Sequence, residues 1–355
     1  MKFFSKIKNN NTNNSIKCLA CRHYCIIPLN SFGICGARKN INKELVLLTH
    51  SHPTSIHLDP IEKKPLYHFY PNSKIMSIGF FGCNFKCDFC QNSEISFTKR
   101  TQLENNLINL NKLSPKDFVK LAIKEKAESI AFTYNEPAIS VEYNLEAIKE
   151  TNKFKKENKE KGKNKLNSVY VSNGYLSSEQ IKELTKKSTR LDAINIDLKS
   201  FNDNFYKTTC GGELDKVLNC IKEIHKKGIW IELTTLIIPN KNNSNKELTQ
   251  IASWIKTLDK NIPWHVSAFF PMHKMQKISP TNESELNKAI TIGKENGLNF
   301  VYGGNMNKSS INSNTYCPKC NSLLIKRNGF NANTIGLSKG KCINCKEKIK
   351  GIFYE

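Results

Sequence analysis

Gly82-Cys83-Asn84-Phe85-Lys86-Cys87-Asp88-Phe89-Cys90-Gln91-Asn92 is the stretch on which the rest of the chain is organised. Three cysteines stand in a C-x3-C-x2-C pattern, with an aromatic residue directly before the last. Thiolates are soft ligands suited to iron–sulfur clusters. A cubane cluster usually takes four cysteines, so three on one short loop leave an iron without a protein ligand. An open metal position is where chemistry can happen, by the logic that separates catalytic from structural zinc sites. The alternatives are three buried thiols or three of four zinc ligands. Spacing, aromatic and flanking apolar run favour the cluster, because context is what confirms a motif.

Before this loop, Lys74 to Phe81 is an apolar run of strand length. After it, strands and helices alternate. Ser114-Pro115 starts a helix towards Ala127, with Ser as N-cap and Pro at N1. Ser129–Tyr134 is a predicted strand ending in Asn135-Glu136-Pro137, followed by a helix from about Ala138 towards Lys161. Val169–Val171 ends in Ser172-Asn173-Gly174, and Ser177 to Gln180 has the form of a capping box. Leu191–Ile196 ends in Asp197-Leu198-Lys199, and Ile229–Ile238 in Pro239-Asn240. Trp264–Phe270 ends in Pro271-Met272-His273, and Leu298–Tyr302 in Gly303-Gly304-Asn305.

Strands separated by helices imply parallel crossovers, hence an α/β fold. The polar signatures all fall just after a strand, the end at which α/β barrels assemble their sites. One mouth is therefore expected to hold the cysteine loop and these strand ends. Asp197 and Lys199, at i and i+2, share a strand face and can pair.

Three further segments frame this core. Residues 1–73 form a Cys-rich extension and connector, 74–306 the barrel, and 315–355 a small tail module. Cys18, Cys21, Cys25 and Cys35 follow C-x2-C-x3-C-x9-C, which suits one tetrahedral site. Zinc, a second iron–sulfur cluster or buried thiols all fit that spacing, and His23 is expected at the surface. His57 to Phe69 packs charges between Pro60 and Pro65, an ordered connector rather than a helix or central strand. In the tail, Cys317, Cys320, Cys342 and Cys345 form C-x2-C…C-x2-C, the spacing of a zinc ribbon. Leu323–Ile325 and Ile349–Phe353 are its predicted strands. Cys210 and Cys220 lie outside any cluster spacing and read as ordinary thiols.

Composition sets outer limits. Thirteen cysteines, mostly in close pairs, favour metal sites in a reducing, cytoplasmic compartment over disulfides. No apolar run reaches the ~18 to 20 residues of a membrane span, and residues 1–14 lack the apolar region of a secretory signal. The net charge of +23 invites a nucleic-acid or acidic protein partner, which would make the chain a metal-bound nucleic-acid or protein adaptor. Yet of 54 basic residues only five are Arg, whereas phosphate and base recognition prefer Arg forks. An adaptor role also leaves the three-cysteine loop unexplained.

The Cys83-Cys87-Cys90 loop resembles the signature of the radical S-adenosylmethionine enzymes. That resemblance implies a partial (β/α)6-type barrel and a 4Fe–4S cluster on Cys83, Cys87 and Cys90. It implies that S-adenosylmethionine chelates the free iron and is cleaved to a 5′-deoxyadenosyl radical, and that an external low-potential donor supplies the electron. Phe89 would lie near the adenine, with Ile237-Ile238-Pro239 packed against it. Tyr134, Asn135 and Glu136 match the family's Gly-Gly-Glu-Pro motif, which serves the cofactor's ammonium group. Tyr and Asn replace both glycines here. Ser172, Asn173, Asp197 and Lys199 resemble residues serving the carboxylate and ribose, and His273 a histidine near the cofactor. His265 is expected to be structural. From about Cys18 to Asn305 the chain resembles the radical enzyme of the AmmeMemoRadiSam system, a relative of pyruvate formate-lyase activating enzymes. The substrate is then either a protein or small molecule still to be identified, or a glycyl position on a partner enzyme.

Overall fold

The computed structural model describes residues 2–7, 14–97, 100–158, 166–306 and 313–354. The N-terminal segment makes two small antiparallel sheets. One holds β1 (Phe4–Lys6), β2 (Ile16–Cys18) and β3 (Ile26–Ile27), the other β4 (Arg38–Ile41) and β5 (Glu44–Leu47). The connector then enters the main sheet as its edge strand, β6 (Ser55–Pro60), followed by a 3-10 turn over Ile61–Lys63. Pro60 ends that strand, a place where a missing N–H is tolerated.

Seven parallel strands follow in sequence order: β7 (Lys74–Gly79), β8 (Ser129–Phe132), β9 (Asn167–Ser172), β10 (Ala193–Asp197), β11 (Trp230–Ile237), β12 (Trp264–Ala268) and β13 (Val301–Gly304). Only β6 runs antiparallel, against β7, with Ile56 opposite Ile78. Neighbours in space are neighbours in sequence, so the sheet is the open, partial barrel expected of α/β units. Nearly every residue of β7 to β10 is buried, as strands covered on both faces require.

The helices are α1 (Ser93–Ser96), α2 (Arg100–Ile108), α3 (Pro115–Lys124), α4 (Val141–Glu157), α5 (Ser178–Glu183), α6 (Asp203–Phe205), α7 (Leu214–Lys226), α8 (Asn245–Leu258) and α9 (Glu283–Glu295). α3 begins as its sequence requires, with Ser114 accepting from the Asp117 amide and Pro115 at N1. α7 buries Val217, Leu218, Ile221 and Ile224 at helical spacing. α4 starts later than expected, because Pro137–Ser140 forms a 3-10 turn first, and Lys161 lies outside the described residues. Ser177 accepts from the Gln180 amide. The reciprocal half of a capping box is not formed, since the Gln180 side chain is buried without a hydrogen-bond partner.

The tail folds into β14 (Thr315–Tyr316), β15 (Leu323–Asn328) and β16 (Asn331–Thr334), plus the hairpin β17 (Leu337–Ser338) and β18 (Lys341–Cys342). Ile349–Phe353 is not the predicted strand; Ile352 makes a single bridge to Phe69. The tail packs on the end of the barrel where strands begin. Cys317, Leu324, Ile325, Cys342 and Ile349 share a buried cluster with Tyr67, Phe300 and Tyr302. Arg327 is buried there, 4.1 Å above the Tyr67 ring and donating to the Tyr67 carbonyl at 2.7 Å. Beneath it, Glu232 accepts from the Tyr67 and His68 amides and pairs with His265 Nε2 at 2.6 Å. His265 is therefore structural, at the far end of the barrel from the cysteine loop. Among the described residues no helix is long and apolar enough to cross a membrane.

Candidate functional site

The cysteine loop leaves the end of β7 and is clamped from two sides. Gly82 has φ +94°, and a Cβ there would stand 2.5 Å from the Cys35 carbonyl oxygen. Only glycine suits both conditions. On the other side, the π-helical turn Tyr206–Cys210 offers its last carbonyls to the loop: Lys86 N–H donates to Cys210 O at 2.7 Å and Asp88 N–H to Thr209 O at 3.0 Å. Gly212 approaches so closely that a Cβ would meet the Phe85 ring at 2.5 Å.

Cys83 Sγ accepts from the Phe85 amide at 3.4 Å, and the Asn92 amide lies near Cys90 Sγ and favours its thiolate. Amide donors aimed at sulfur suit a thiolate. Burial, with Glu136 nearby, pushes the Cys83 thiol well up, so that sulfur needs a metal or another cation to ionise. Cys210 is not the ordinary thiol its spacing implied: it is buried beside Cys87 and draws the Cys87 thiol below its ordinary value, against burial. Nothing in the local spacing signals this contact, because 123 positions in the numbering separate the pair and the turn at 206–210 brings them together.

The strand ends converge on this loop. Glu136, just after β8, is buried; its Oε1 accepts from Ser172 Oγ at 2.8 Å and the Ala138 amide at 2.9 Å, and its Oε2 from the Asn173 amide at 2.7 Å. Burial raises this carboxyl to about 7, against those three donors. Asn173 Nδ2 reaches Asn84 Oδ1 in the loop itself at 2.7 Å. Asn135 Nδ2 donates to Gly82 O at 2.7 Å, and Asn92 Nδ2 to Tyr134 O at 2.6 Å. Tyr134 keeps the left-handed backbone a glycine would adopt, at φ +70°.

After β10, Lys199 Nζ pairs with Asp197 Oδ2 at 2.8 Å and lies 5.5 Å from the Phe89 ring centre. Burial opposes the Lys199 charge, but Asp197, Cys87 and Cys210 together hold its pKa well above the usual value. Phe89 is buried and stacked on Phe205. His273 stacks on Phe97, just after the loop, and its neighbour Lys274 pairs with Asp88 at 2.9 Å. Cysteine loop, Phe89, Asn135, Glu136, Ser172, Asn173, Asp197, Lys199 and His273 thus share one mouth. Ile237, which ends β11, and Ile238 are fully buried.

The tail cysteines form a different arrangement. The sulfurs of Cys317, Cys320, Cys342 and Cys345 all lie within 4.8 Å of one another, with Cys317 and Cys345 at 3.5 Å. A tetrahedron of thiolates about 2.3 Å from one zinc has edges of about 3.8 Å, so the geometry fits a single ion. Cys18, Cys21, Cys25 and Cys35 line one pocket with His23, Arg38 and Asn84. His23 is not a surface residue: it is half-buried, and its Nε2 donates to Asn84 O at 2.8 Å.

A family model described as the Radical SAM superfamily matches residues 77–255, about half of the chain. The chain belongs to the radical SAM superfamily. It is similar to an uncharacterised protein of Methanocaldococcus jannaschii, 36% identical over 350 residues, covering 98% of this chain and 97% of that protein. A second protein of that organism, provisionally named a glycyl-radical enzyme activating enzyme, is 24% identical over 220 residues, 60% of this chain and 74% of that protein. A solved domain of pyruvate-formate lyase-activating enzyme from Bacteroides vulgatus aligns with TM-score 0.37 and 16% identity, covering 49% of this chain and 98% of that one. Members of the radical SAM superfamily are enzymes, and membership implies a 4Fe–4S cluster and S-adenosylmethionine. The donor set fits: three cysteines on one loop, with the Cys83 sulfur already accepting an amide hydrogen.

Proposed function

We propose that this chain is a radical S-adenosylmethionine enzyme of the AmmeMemoRadiSam type, acting by hydrogen abstraction on a protein or small-molecule substrate. The observation that carries it is the single mouth in which Cys83, Cys87 and Cys90 face Glu136, Ser172 and Asn173 from β8 and β9, and Lys199 from β10. Cluster and S-adenosylmethionine, when bound, supply a 5′-deoxyadenosyl radical. The chain's own residues hold and orient. Cys83, Cys87 and Cys90 bind three irons and leave the fourth open. Asn135 and Glu136 present carbonyls and a carboxylate to an ammonium group. Ser172, Asn173, Asp197 and Lys199 bracket the carboxylate and ribose, Phe89 lies against the adenine, and His273 closes the rim. The tail cysteines hold zinc, and an external low-potential donor supplies the electron.

A second reading, activation of a glycyl-radical enzyme, is supported by the activating-enzyme name of one relative. Anaerobic assay separates the possibilities. Reconstituted protein should form 5′-deoxyadenosine under reduction, and C83A/C87A/C90A should form none. Undiminished formation by that variant sinks the proposal. Deuterium transfer from a labelled glycyl peptide into 5′-deoxyadenosine would favour the second reading.

A further inference from the structure

Four cysteines of the N-terminal segment are left over by this function. Cys18, Cys21 and Cys35 are buried, and with Cys25 they line one pocket behind the signature loop. The Ala20, His23 and Ala37 amides, each two residues on, lie near the Cys18, Cys21 and Cys35 sulfurs and favour their thiolates. Cys83 and Cys90 show the same two-residue pattern in the signature loop. Such donors tune sulfur ligands of clusters.

The spacing of the sulfurs separates one ion from several. Among the described residues, only the tail quartet brings three or more ligand atoms within 4.8 Å of one another. Neither Cys18, Cys21, Cys25 and Cys35 nor Cys83, Cys87 and Cys90 do so. A cubane spreads its cysteine sulfurs wider, on the order of 6 Å, because each bonds a different iron.

The remaining wall suits an anionic sulfur-rich core. Arg38 is buried, paired with Glu142, and lines the pocket close to Cys18 and Cys35. Asn84 is buried too, and its Nδ2 has no hydrogen-bond partner. That nitrogen lies next to the Cys21 thiol and borders the pocket, so a cluster sulfur would satisfy it. A buried donor left without an acceptor costs about 1 to 3 kcal/mol, and the Cys21 thiolate or a cluster sulfur would each supply one. The rest of the lining, Ala20, Ile27, Ile34 and Ile139, is apolar.

We propose that Cys18, Cys21, Cys25 and Cys35 hold a second, fully protein-ligated 4Fe–4S cluster rather than zinc. It lies directly behind the signature loop. The Cys35 carbonyl packs on Gly82, and Asn84 borders the pocket while its Oδ1 stands 3.9 Å from Cys83 Sγ.

Metal analysis after anaerobic reconstitution with iron and sulfide tests this without any assay of catalysis. Wild-type protein should carry about eight irons per chain, two cubanes of four. C83A/C87A/C90A keeps the N-terminal segment intact and should retain about four irons, with a cubane paramagnetic signal on reduction. C18A/C21A/C25A/C35A should also retain about four, those of the signature loop. The decisive sample is the signature-loop variant, which does not depend on the N-terminal variant folding. If it binds no iron and carries about two zinc ions per chain, one in each four-cysteine site, the proposal is overturned. The same holds if it binds neither metal beyond the tail's single zinc.

Discussion

Tyr134 donates its hydroxyl hydrogen to Asp59 Oδ2 at 3.0 Å while its own backbone sits at φ +70°. A side chain in that conformation costs roughly 1 to 2 kcal/mol, at the position where the related motif has glycine. The connector offsets it. Asp59 is buried, bonded to Lys64 at 2.6 Å, Lys63 at 2.9 Å and Ser77 at 3.0 Å. Lys64 Nζ also lies 5.0 Å from the Tyr134 ring centre. The crowded charges before β7 thus hold the turn that carries Asn135 and Glu136.

Asp59→Asn should therefore be costly. It leaves the buried Lys64 without its anion, a loss of about 3 to 5 kcal/mol. Lys63→Met, at a half-exposed partner, should cost less than about 1 kcal/mol. Burial by itself would raise the Asp59 carboxyl, but Lys64, Lys63 and Tyr134 hold it well below the usual range. Its stabilisation is then present above the unfolded value of about 4 and lost as pH falls below that. Urea unfolding of wild type and variant checks both points. Equal midpoints at pH 7 would show that the pair carries nothing.

Asp197 and Lys199 make a second pair, facing the cysteine loop. Asp197→Asn and Lys199→Met should each weaken S-adenosylmethionine binding by tenfold or more, about 1.4 kcal/mol. The spectrum of the reconstituted cluster should stay intact. An exposed pair would be worth roughly 0 to 1 kcal/mol and affect neither property. Titrating S-adenosylmethionine against the cluster's paramagnetic signal distinguishes these. Unchanged affinity in both variants would remove Lys199 from the binding site.

Cys210 bears on the cluster through Cys87. A thiol that donates to a cluster ligand withdraws electron density from it, and hydrogen bonds to sulfur are one of the levers on cluster potential. Cys210→Ala should leave iron content unchanged and lower the midpoint potential of the signature cluster. Redox titration followed by paramagnetic resonance measures it. A potential equal to wild type would mean that the contact is packing alone.

The sequence made legible what depends on short spacing. The loop at Cys83 to Cys90, the tail quartet, the strand order and the polar residues after each strand are local patterns, and the parallel sheet gathers the strand ends by topology. What it hid depends on contacts between distant segments. Cys210 reaches Cys87 only because a π-turn folds over the loop. Asp59 reads in the sequence as one charge of an ordered connector, and only the antiparallel pairing of β6 with β7, which places Asp59 opposite Ile75, turns it inward to Tyr134. The tail could be recognised as a zinc-ribbon-like unit, but not where it docks, because Arg327 and Ile352 find their partners in the connector.

That docking should be sensitive to acid, through His68. The residue is fully buried between barrel and tail. Its Nδ1 lies 2.7 Å from the Lys350 carbonyl, which can only accept, so Nδ1 carries the hydrogen. Nε2 then accepts from the Tyr302 hydroxyl at 2.6 Å. Tyr302 is bonded in turn to Thr315 Oγ1 at 2.9 Å, which also accepts from Arg327 Nη1. A proton on Nε2 would break this chain beside a buried guanidinium. Burial lowers His68 to about 4, against the pull of Glu232 and the Lys350 carbonyl. The unfolded chain takes up that proton near 6.5, so stability is fully present above that pH and is lost as pH falls towards 4. The loss is on the order of 3 kcal/mol. His68→Gln keeps a donor for Lys350 and removes the titration. Thermal unfolding between pH 7 and 5 should show a steeper fall for wild type than for the variant, with the tail becoming susceptible to protease first. Parallel pH profiles for the two proteins would show that the proton is taken up elsewhere and that His68 does not gate the docking of the tail.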